Sequence, residues 1–301
     1  MTAANGGGGF LLIFLISTIL IGFPLLQAEF ALGRSAGVSA IKTFGKLGKN
    51  NKYNFIGWIG AFALFILLSF YSVIGGWILV YLGIEFGKLF QLGGTGDYTQ
   101  LFTSIISNPA IALGAQAAFI LLNIFIVSRG VQKGIERASK VMMPLLFIVL
   151  PQLFDKMPFG TIFYVLFLFA TVTSSVVMLE INVDNITNQD NSKRAKWSVI
   201  LGILTFVFGI PSALSYGVMA DVHIFGKTFF DAMDFLVSNL LMPFGALYLS
   251  LFTGYIFKKA LAMEELHLDE RAWKQGLFQV WLFLLRFVIP IIIVVFIAQF
   301  M

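Results

Sequence analysis

Residues 55–86 read FIGWIGAFALFILLSFYSVIGGWILVYLGIEF, and no charged residue occurs in them before Glu85. A helix rises about 1.5 Å per residue and a bilayer's hydrocarbon core is about 30 Å thick, so about 20 apolar residues cross it. This run is long enough to cross and to tilt or overrun. It shows none of the alternation of a barrel strand. The same reading, worked outward, finds eight apolar segments: Phe10–Leu32, Phe55–Phe86, Ala110–Val127, Val141–Phe154, Phe159–Leu179, Trp197–Met219, Phe235–Phe257 and Leu277–Phe300. The fold class this predicts is an all-α polytopic membrane protein with about eight spanning segments. Phe10–Leu32 is a poor secretory signal, because no basic residue precedes it and it carries Glu29.

The composition agrees. The chain has 301 residues, 34 of them Phe; 58% are hydrophobic and 12% charged, against about 25% charged in a soluble domain. Mean hydropathy is +0.91. A soluble globular protein is excluded. The absence of cysteine removes disulfide frameworks, cysteine-ligated zinc, iron–sulfur clusters and cysteine nucleophiles. The two histidines, His223 and His267, fall in loops predicted on opposite membrane sides, so they share no site. No phosphate loop, nucleophile elbow or metalloprotease motif occurs, and an enzyme is not expected.

The net charge of +5 is a statement about a membrane rather than about nucleic acid, because of where the charges fall. Arg34, Lys42, Lys46, Lys49 and Lys52 follow the first segment. Arg129, Lys133, Arg137 and Lys140 follow the third, Lys193, Arg194 and Lys196 the fifth, and Lys258, Lys259, Arg271 and Lys274 the seventh. The intervening loops carry Lys88, Lys156 and Lys227, and Arg286 lies inside the last segment, where it reads as a helix-pairing or snorkelling residue. Sixteen of the 20 basic residues therefore share one side, which the positive-inside rule makes cytoplasmic. Both termini are then extracellular. The Lys42–Lys52 run fits a plain cytoplasmic loop and equally a surface for anionic lipid. Val141–Phe154 is unlike the other segments, being short and broken by Pro144 and Pro151.

Several collinear stretches resemble the neurotransmitter:sodium symporter family, the bacterial amino-acid transporters with an inverted repeat. Asn5-Gly6-Gly7-Gly8-Gly9-Phe10 resembles the glycine-rich turn between the family's first two helices. Gly22-Phe23-Pro24, Glu29 and Gly33-Arg34 resemble its second helix, and Tyr71 with Trp77 its third. Ser128-Arg129-Gly130, Ile135 through Lys140 and Met143-Pro144 resemble the start of its fifth. Ala170-Thr171-Val172-Thr173-Ser174-Ser175 resembles its eighth and Asp231-Ala232-Met233-Asp234-Phe235 the start of its tenth. On this resemblance residues 1–301 form a single membrane domain. Residues 1–150 correspond to family helices two to the start of five, and residues 151–301 to helices eight to eleven. The first, sixth and seventh helices are expected to be lacking, with a join within or near Leu145–Leu150. The expected fold is an incomplete LeuT-type inverted-repeat fold.

The resemblance implies site residues, each with a plainer reading beside it. It makes the Ala170 carbonyl, Thr173 and Ser174 ligands of a sodium ion and Ser175 a substrate-facing residue. Hydroxyls in membrane helices otherwise bond the carbonyl one turn back or pack between helices. It gives Tyr71 the substrate carboxylate, where the alternative is aromatic packing. Glu29 becomes a member of a buried network, or else a near-interface acid. Asp234 becomes an outer-gate acid, or else a solvated carboxylate beside Asp221 and Asp231. No inner-gate acid can be assigned among Glu180, Asp184 and Asp190. Gly75-Gly76 reads as a helix-packing pair.

The function implied is sodium-coupled symport of an amino acid or related small amine, with sodium as coupling ion, no other cofactor, and the bilayer as surroundings. In this family the substrate and ions sit between broken helices at the midplane. With the first and sixth of these expected to be lacking, the chain alone is expected not to perform coupled uptake. The alternatives are an inert product of a truncated gene and a nontransporting accessory protein paired with an intact symporter. The expected location is the cell membrane.

Overall fold

The computed structural model describes residues 7–89, 98–129, 159–268 and 272–300. Seven of the described helices are long and apolar enough to cross a membrane. We number the helices α1 (Gly8–Ala36), α2 (Ala40–Leu47), α3 (Asn54–Leu89), α4 (Tyr98–Ser107), α5 (Pro109–Ser128), α6 (Phe159–Thr187), α7 (Asn191–Leu214), α8 (Phe229–Ile256), α9 (Lys259–Glu265) and α10 (272–298). A two-stranded hairpin, β1 (His223–Ile224) and β2 (Lys227–Thr228), precedes α8. The short fourth segment, Val141–Phe154, lies outside the described residues, as do the Ile135–Lys140 stretch and the Leu145–Leu150 join.

The helix bounds depart from the apolar runs where polar groups find partners. α6 continues beyond Leu179 because Glu180 in its last turns pairs with Arg194 at the start of α7. α7 begins upstream of Trp197 because the Asp190 side chain caps it, accepting from the Ser192 N–H at 3.0 Å. It ends at Leu214, soon after Pro211. α8 begins at Phe229 rather than Phe235, capped by Thr228, whose hydroxyl oxygen accepts from Asp231 N–H at 3.2 Å.

The chain divides into two compact units, residues 1–61 with 238–301, and residues 62–237. In the first, Ala28, Ala31 and Leu32 of α1 pack with Leu249 and Phe252 of α8 and with Phe278, Trp281, Leu285 and Ile289 of α10. Trp281 Nε1 donates to the Pro24 carbonyl at 3.1 Å. That carbonyl lies just past the π-helical turn Thr18–Gly22. α1 ends at Gly37, whose φ of +58° is the left-handed conformation glycine adopts without penalty. Lys46 Nζ then caps the Ala36 carbonyl at 2.6 Å. α2 buries Ile41 and Phe44 and exposes Lys42 and Lys46, so these two lysines of the basic run form one face of a short amphipathic helix, while Lys49 and Lys52 follow it.

Two further π-helical turns meet in this unit, Phe252–Ile256 and Leu284–Val288. Ser250 Oγ donates to the Leu285 carbonyl at 2.6 Å, Arg286 Nε to the Gly254 carbonyl at 2.6 Å, and Tyr255 Oη to the Arg286 carbonyl at 3.3 Å. Arg286 is thus a helix-pairing residue.

The second unit holds most of α3 together with α4 to α7, the hairpin and the first turns of α8. Leu68, Val127, Val176, Leu179, Val183 and Leu201 form one core, and Val73, Ala112 and Ala213 another. Lipid is as apolar as these side chains, so helices associate through close packing and hydrogen bonds rather than by escape from water. The closest approaches sit at small residues. A methyl on Gly76 of α3 would lie 2.8 Å from the Ala115 carbonyl carbon and Gln116 nitrogen of α5. Gly209 of α7 leaves room for the Gln116 side chain. Gly75-Gly76 is accordingly a packing pair.

Candidate functional site

Apart from Glu29, every site residue expected from the sequence lies in the second unit: Tyr71 on α3, Ala170, Thr173, Ser174 and Ser175 on α6, and Asp234 on α8. Glu29 lies in the first unit, on an exposed side of α1 next to the buried Ala28.

α6 splits its hydroxyls between two faces. Ala170 and Ser174 are one turn apart on an exposed face, with Thr173 half-buried beside them. Thr173 Oγ1 lies 2.9 Å from the Ala170 carbonyl oxygen and 3.1 Å from that of Phe169, and Ser174 Oγ lies 3.1 Å from the Ala170 oxygen. The Ala170 oxygen thus collects two hydroxyls around itself. Neighbouring oxygens about 3 Å apart are also what a hard cation with ligand distances of about 2.3–2.6 Å gathers. The same group therefore has two uses: capped carbonyls now, and one side of a cation site if further oxygens face it.

Ser175 points the other way. Its side chain is fully buried, and Oγ lies 2.7 Å from Asn123 Oδ1 of α5 and 3.0 Å from the Val172 carbonyl. Asn123, itself fully buried, donates from Nδ2 to the Phe119 carbonyl at 2.8 Å. One turn of α5 toward its start from Phe119 sits Gln116, also fully buried, with Nε2 donating to Ser72 Oγ of α3 at 3.1 Å and toward the Phe206 carbonyl of α7 at 3.4 Å. Ser72 donates to the Ser69 carbonyl at 2.8 Å. A buried polar seam therefore ties α5 to α3, α6 and α7. Gln116 Oε1, Thr205 Oγ1 and Ser212 Oγ along it have no partner among the described residues.

This seam was missed in the sequence, although a signal existed. Gln116 and Asn123 stand seven residues apart in the otherwise apolar α5, hence on one face. Ser198, Gly202, Thr205, Gly209 and Ser212 recur at alternating spacings of four and three on α7, and all are buried. That is a small-residue packing stripe.

Tyr71 is half-buried. Trp77, six residues on, stacks on Phe230 at 5.9 Å and meets the edge of Phe102 at 5.6 Å, and its buried N–H is unpartnered among the described residues. Asp234 is exposed, one turn beyond Asp231 on α8. Asp231 is held by Thr228 Oγ1 at 2.7 Å and by Tyr216 Oη at 3.2 Å. Burial, and secondly the Asp231 charge, push the Tyr216 phenol above its ordinary pKa, so it stays a donor to that carboxylate.

The model of the sodium:neurotransmitter symporter family matches residues 1–92. The sodium-dependent transporter YhdH of Bacillus subtilis is 36% identical over 408 aligned positions, which cover 98% of this chain and 90% of that protein. A sodium-dependent transporter of Haemophilus influenzae is 23% identical over 425 positions, covering 98% of this chain and 91% of its own length. The crystal structure of MhsT in complex with L-phenylalanine matches with a TM-score of 0.85 at 27% identity, over 98% of this chain and 92% of that one. An alignment of 408 positions is longer than a chain of 301, so at least 107 positions within it face no residue here.

Proposed function

The chain belongs to the sodium:neurotransmitter symporter family of sodium-dependent membrane transporters, and we propose that it descends from symporters of amino acids or related small amines but does not perform coupled uptake alone. The observation that carries the first half is the Ala170, Thr173 and Ser174 oxygen group on the exposed face of α6. It lies where the family resemblance expects sodium ligands. Tyr71 is the substrate-binding residue of this reading. Ser175, which the resemblance sets next to the substrate, instead holds α6 against α5 through Asn123. Asp234 is the gate acid, and Glu29 belongs to a network whose other members are to be sought among the positions this chain lacks.

The second half rests on the gap of at least 107 aligned positions. A gap of that size holds several membrane crossings at about 20 residues each. Its expected place is the Leu145–Leu150 join, where the family's sixth and seventh helices would stand. The sixth is one of the two broken helices whose free backbone groups bind substrate and ion. Three oxygens from one helix turn make a weak, one-sided sodium site. The setting is the cell membrane, with both termini on the extracellular face and the lysine-rich loops in the cytoplasm.

The test is thermal stability of the purified chain in sodium against potassium, for wild type and Thr173→Ala. Binding only to the folded state stabilises by RT ln(1 + [L]/Kd), or about 0.4 kcal/mol at [L] = Kd. A small sodium-specific gain, seen only at high concentration and lost in T173A, is expected. Equal stability in the two salts contradicts the sodium assignment. A sodium gain that T173A retains moves the site elsewhere.

A further inference from the structure

The hairpin before α8 turns through Phe225 and Gly226, with φ of +51° and +76°. His223 pairs with Thr228 and Ile224 with Lys227. Two left-handed residues in a two-residue loop make the type I′ geometry that Asn-Gly fits and that a bulky side chain resists. The protein nevertheless places phenylalanine there, and the ring is 100% exposed. Val218 and Val222 of the same loop are also exposed, at 72% and 46%.

The base of the hairpin offers no slack. Thr228 caps α8, both Thr228 and Tyr216 hold Asp231, and Phe230 N–H donates to Ser215 Oγ at 3.0 Å. Lys227 Nζ lies 5.1 Å over the Phe235 ring. The strained tip is therefore held out rather than left loose. Strain at a position with no contact among the described residues calls for a contact outside them.

We propose that the 218–226 loop is a membrane-interface anchor, with the Phe225 ring seated in the headgroup layer of the bilayer. Three features favour lipid over a protein partner. The span Phe229–Ile256 begins one residue after β2. At about 3.3 Å per residue the tip lies within roughly 10 Å of the start of that span, a reach comparable to the roughly 5–8 Å depth of the interfacial layer. One aromatic flanked by two valines is far smaller than the roughly 1,000 Å² that a specific protein interface buries. A Phe ring lacks the polar handle of the Trp and Tyr that line the headgroup layer, so its seating there would come from burial of the ring's apolar surface. Asp221, His223 and Lys227 are exposed beside the tip and suit a wet, polar layer rather than hydrocarbon.

The absence of cysteine makes the test simple. Phe225→Cys and Asp221→Cys are each labelled with a nitroxide in the full chain, reconstituted in phosphatidylcholine vesicles. Collision with dissolved oxygen is compared with collision with a water-soluble nickel chelate. The expected oxygen-to-nickel ratio is several-fold higher at 225 than at 221. Equal ratios, with free access of nickel to 225, overturn the proposal in favour of a solvated tip. Loss of access to both reagents at 225 overturns it in favour of a protein partner or a second copy. A cysteine tolerates an exposed turn, so folding is not at stake.

Discussion

Ser175 Oγ of α6 and Asn123 Oδ1 of α5 lie 2.7 Å apart, with both side chains fully buried. The hydroxyl expected to look toward a substrate instead closes a helix–helix contact, while its neighbours Thr173 and Ser174 look out. One helix thus serves packing with one face and keeps oxygens available on the other. A double-mutant cycle of Ser175→Ala and Asn123→Ala should return a coupling of about 0.6 kcal/mol, the average for hydrogen bonds between membrane helices, and at most about 1.7 kcal/mol. Unfolding in mixed micelles measures it. A coupling near zero would mean that the two side chains are satisfied separately.

Gly209 admits the Gln116 side chain between α5 and α7. Gly209→Ala should push Gln116 from Ser72 and the Phe206 carbonyl, at a cost of roughly 1–3 kcal/mol for overpacking. Its thermal midpoint should fall clearly below that of Gly114→Ala, since a methyl on Gly114 meets nothing within 4 Å. Equal midpoints would contradict the close approach.

Much of this was legible in the sequence, and the remainder was hidden for a physical reason. Helices long enough to span are written as uninterrupted apolar runs, so α1, α3, α5, α6, α7, α8 and α10 could all be located. Their ends were displaced wherever a polar group found a partner, as Glu180 did in Arg194 and Asp190 in Ser192. The positions of Thr173 and Ser174 followed from a motif. That Ser175 turns away from them depends on Asn123, 52 residues earlier in the chain, and pairing at that distance leaves no local mark. The seam at Gln116 and the stripe on α7 did leave one, in periodicity.

Asp190 should contribute a small share of the acid limb of stability. The Ser192 hydroxyl, then the Lys193 ammonium at 3.0 Å, then the Ser192 N–H hold its carboxyl down to about 2 from the ordinary 3.8. A pKa lower in the folded state means that the unfolded chain binds the proton more readily. The contribution is therefore complete above about pH 4 and is lost as pH falls toward about 2. Asp190→Asn keeps a neutral cap but loses the charge-dependent part, so it should flatten this limb by bringing neutral-pH stability down toward the acid value. Asp190→Ala, which also removes the cap, should lower stability further at every pH. Melting curves between pH 2 and 7 separate the two variants, and an unchanged acid limb in D190N would place its origin in other carboxylates.

We propose that this chain, carrying the α6 oxygen group but with at least 107 positions fewer than its aligned relative, does not couple sodium to substrate by itself. The most direct measurement is sodium-driven uptake of a mixed pool of radiolabelled amino acids into proteoliposomes holding only this chain, with Thr173→Ala alongside. A folded, inserted chain should give no accumulation above protein-free liposomes. Accumulation that requires a sodium gradient and vanishes in T173A would contradict it, and would show that the α6 oxygens complete a working site within this chain.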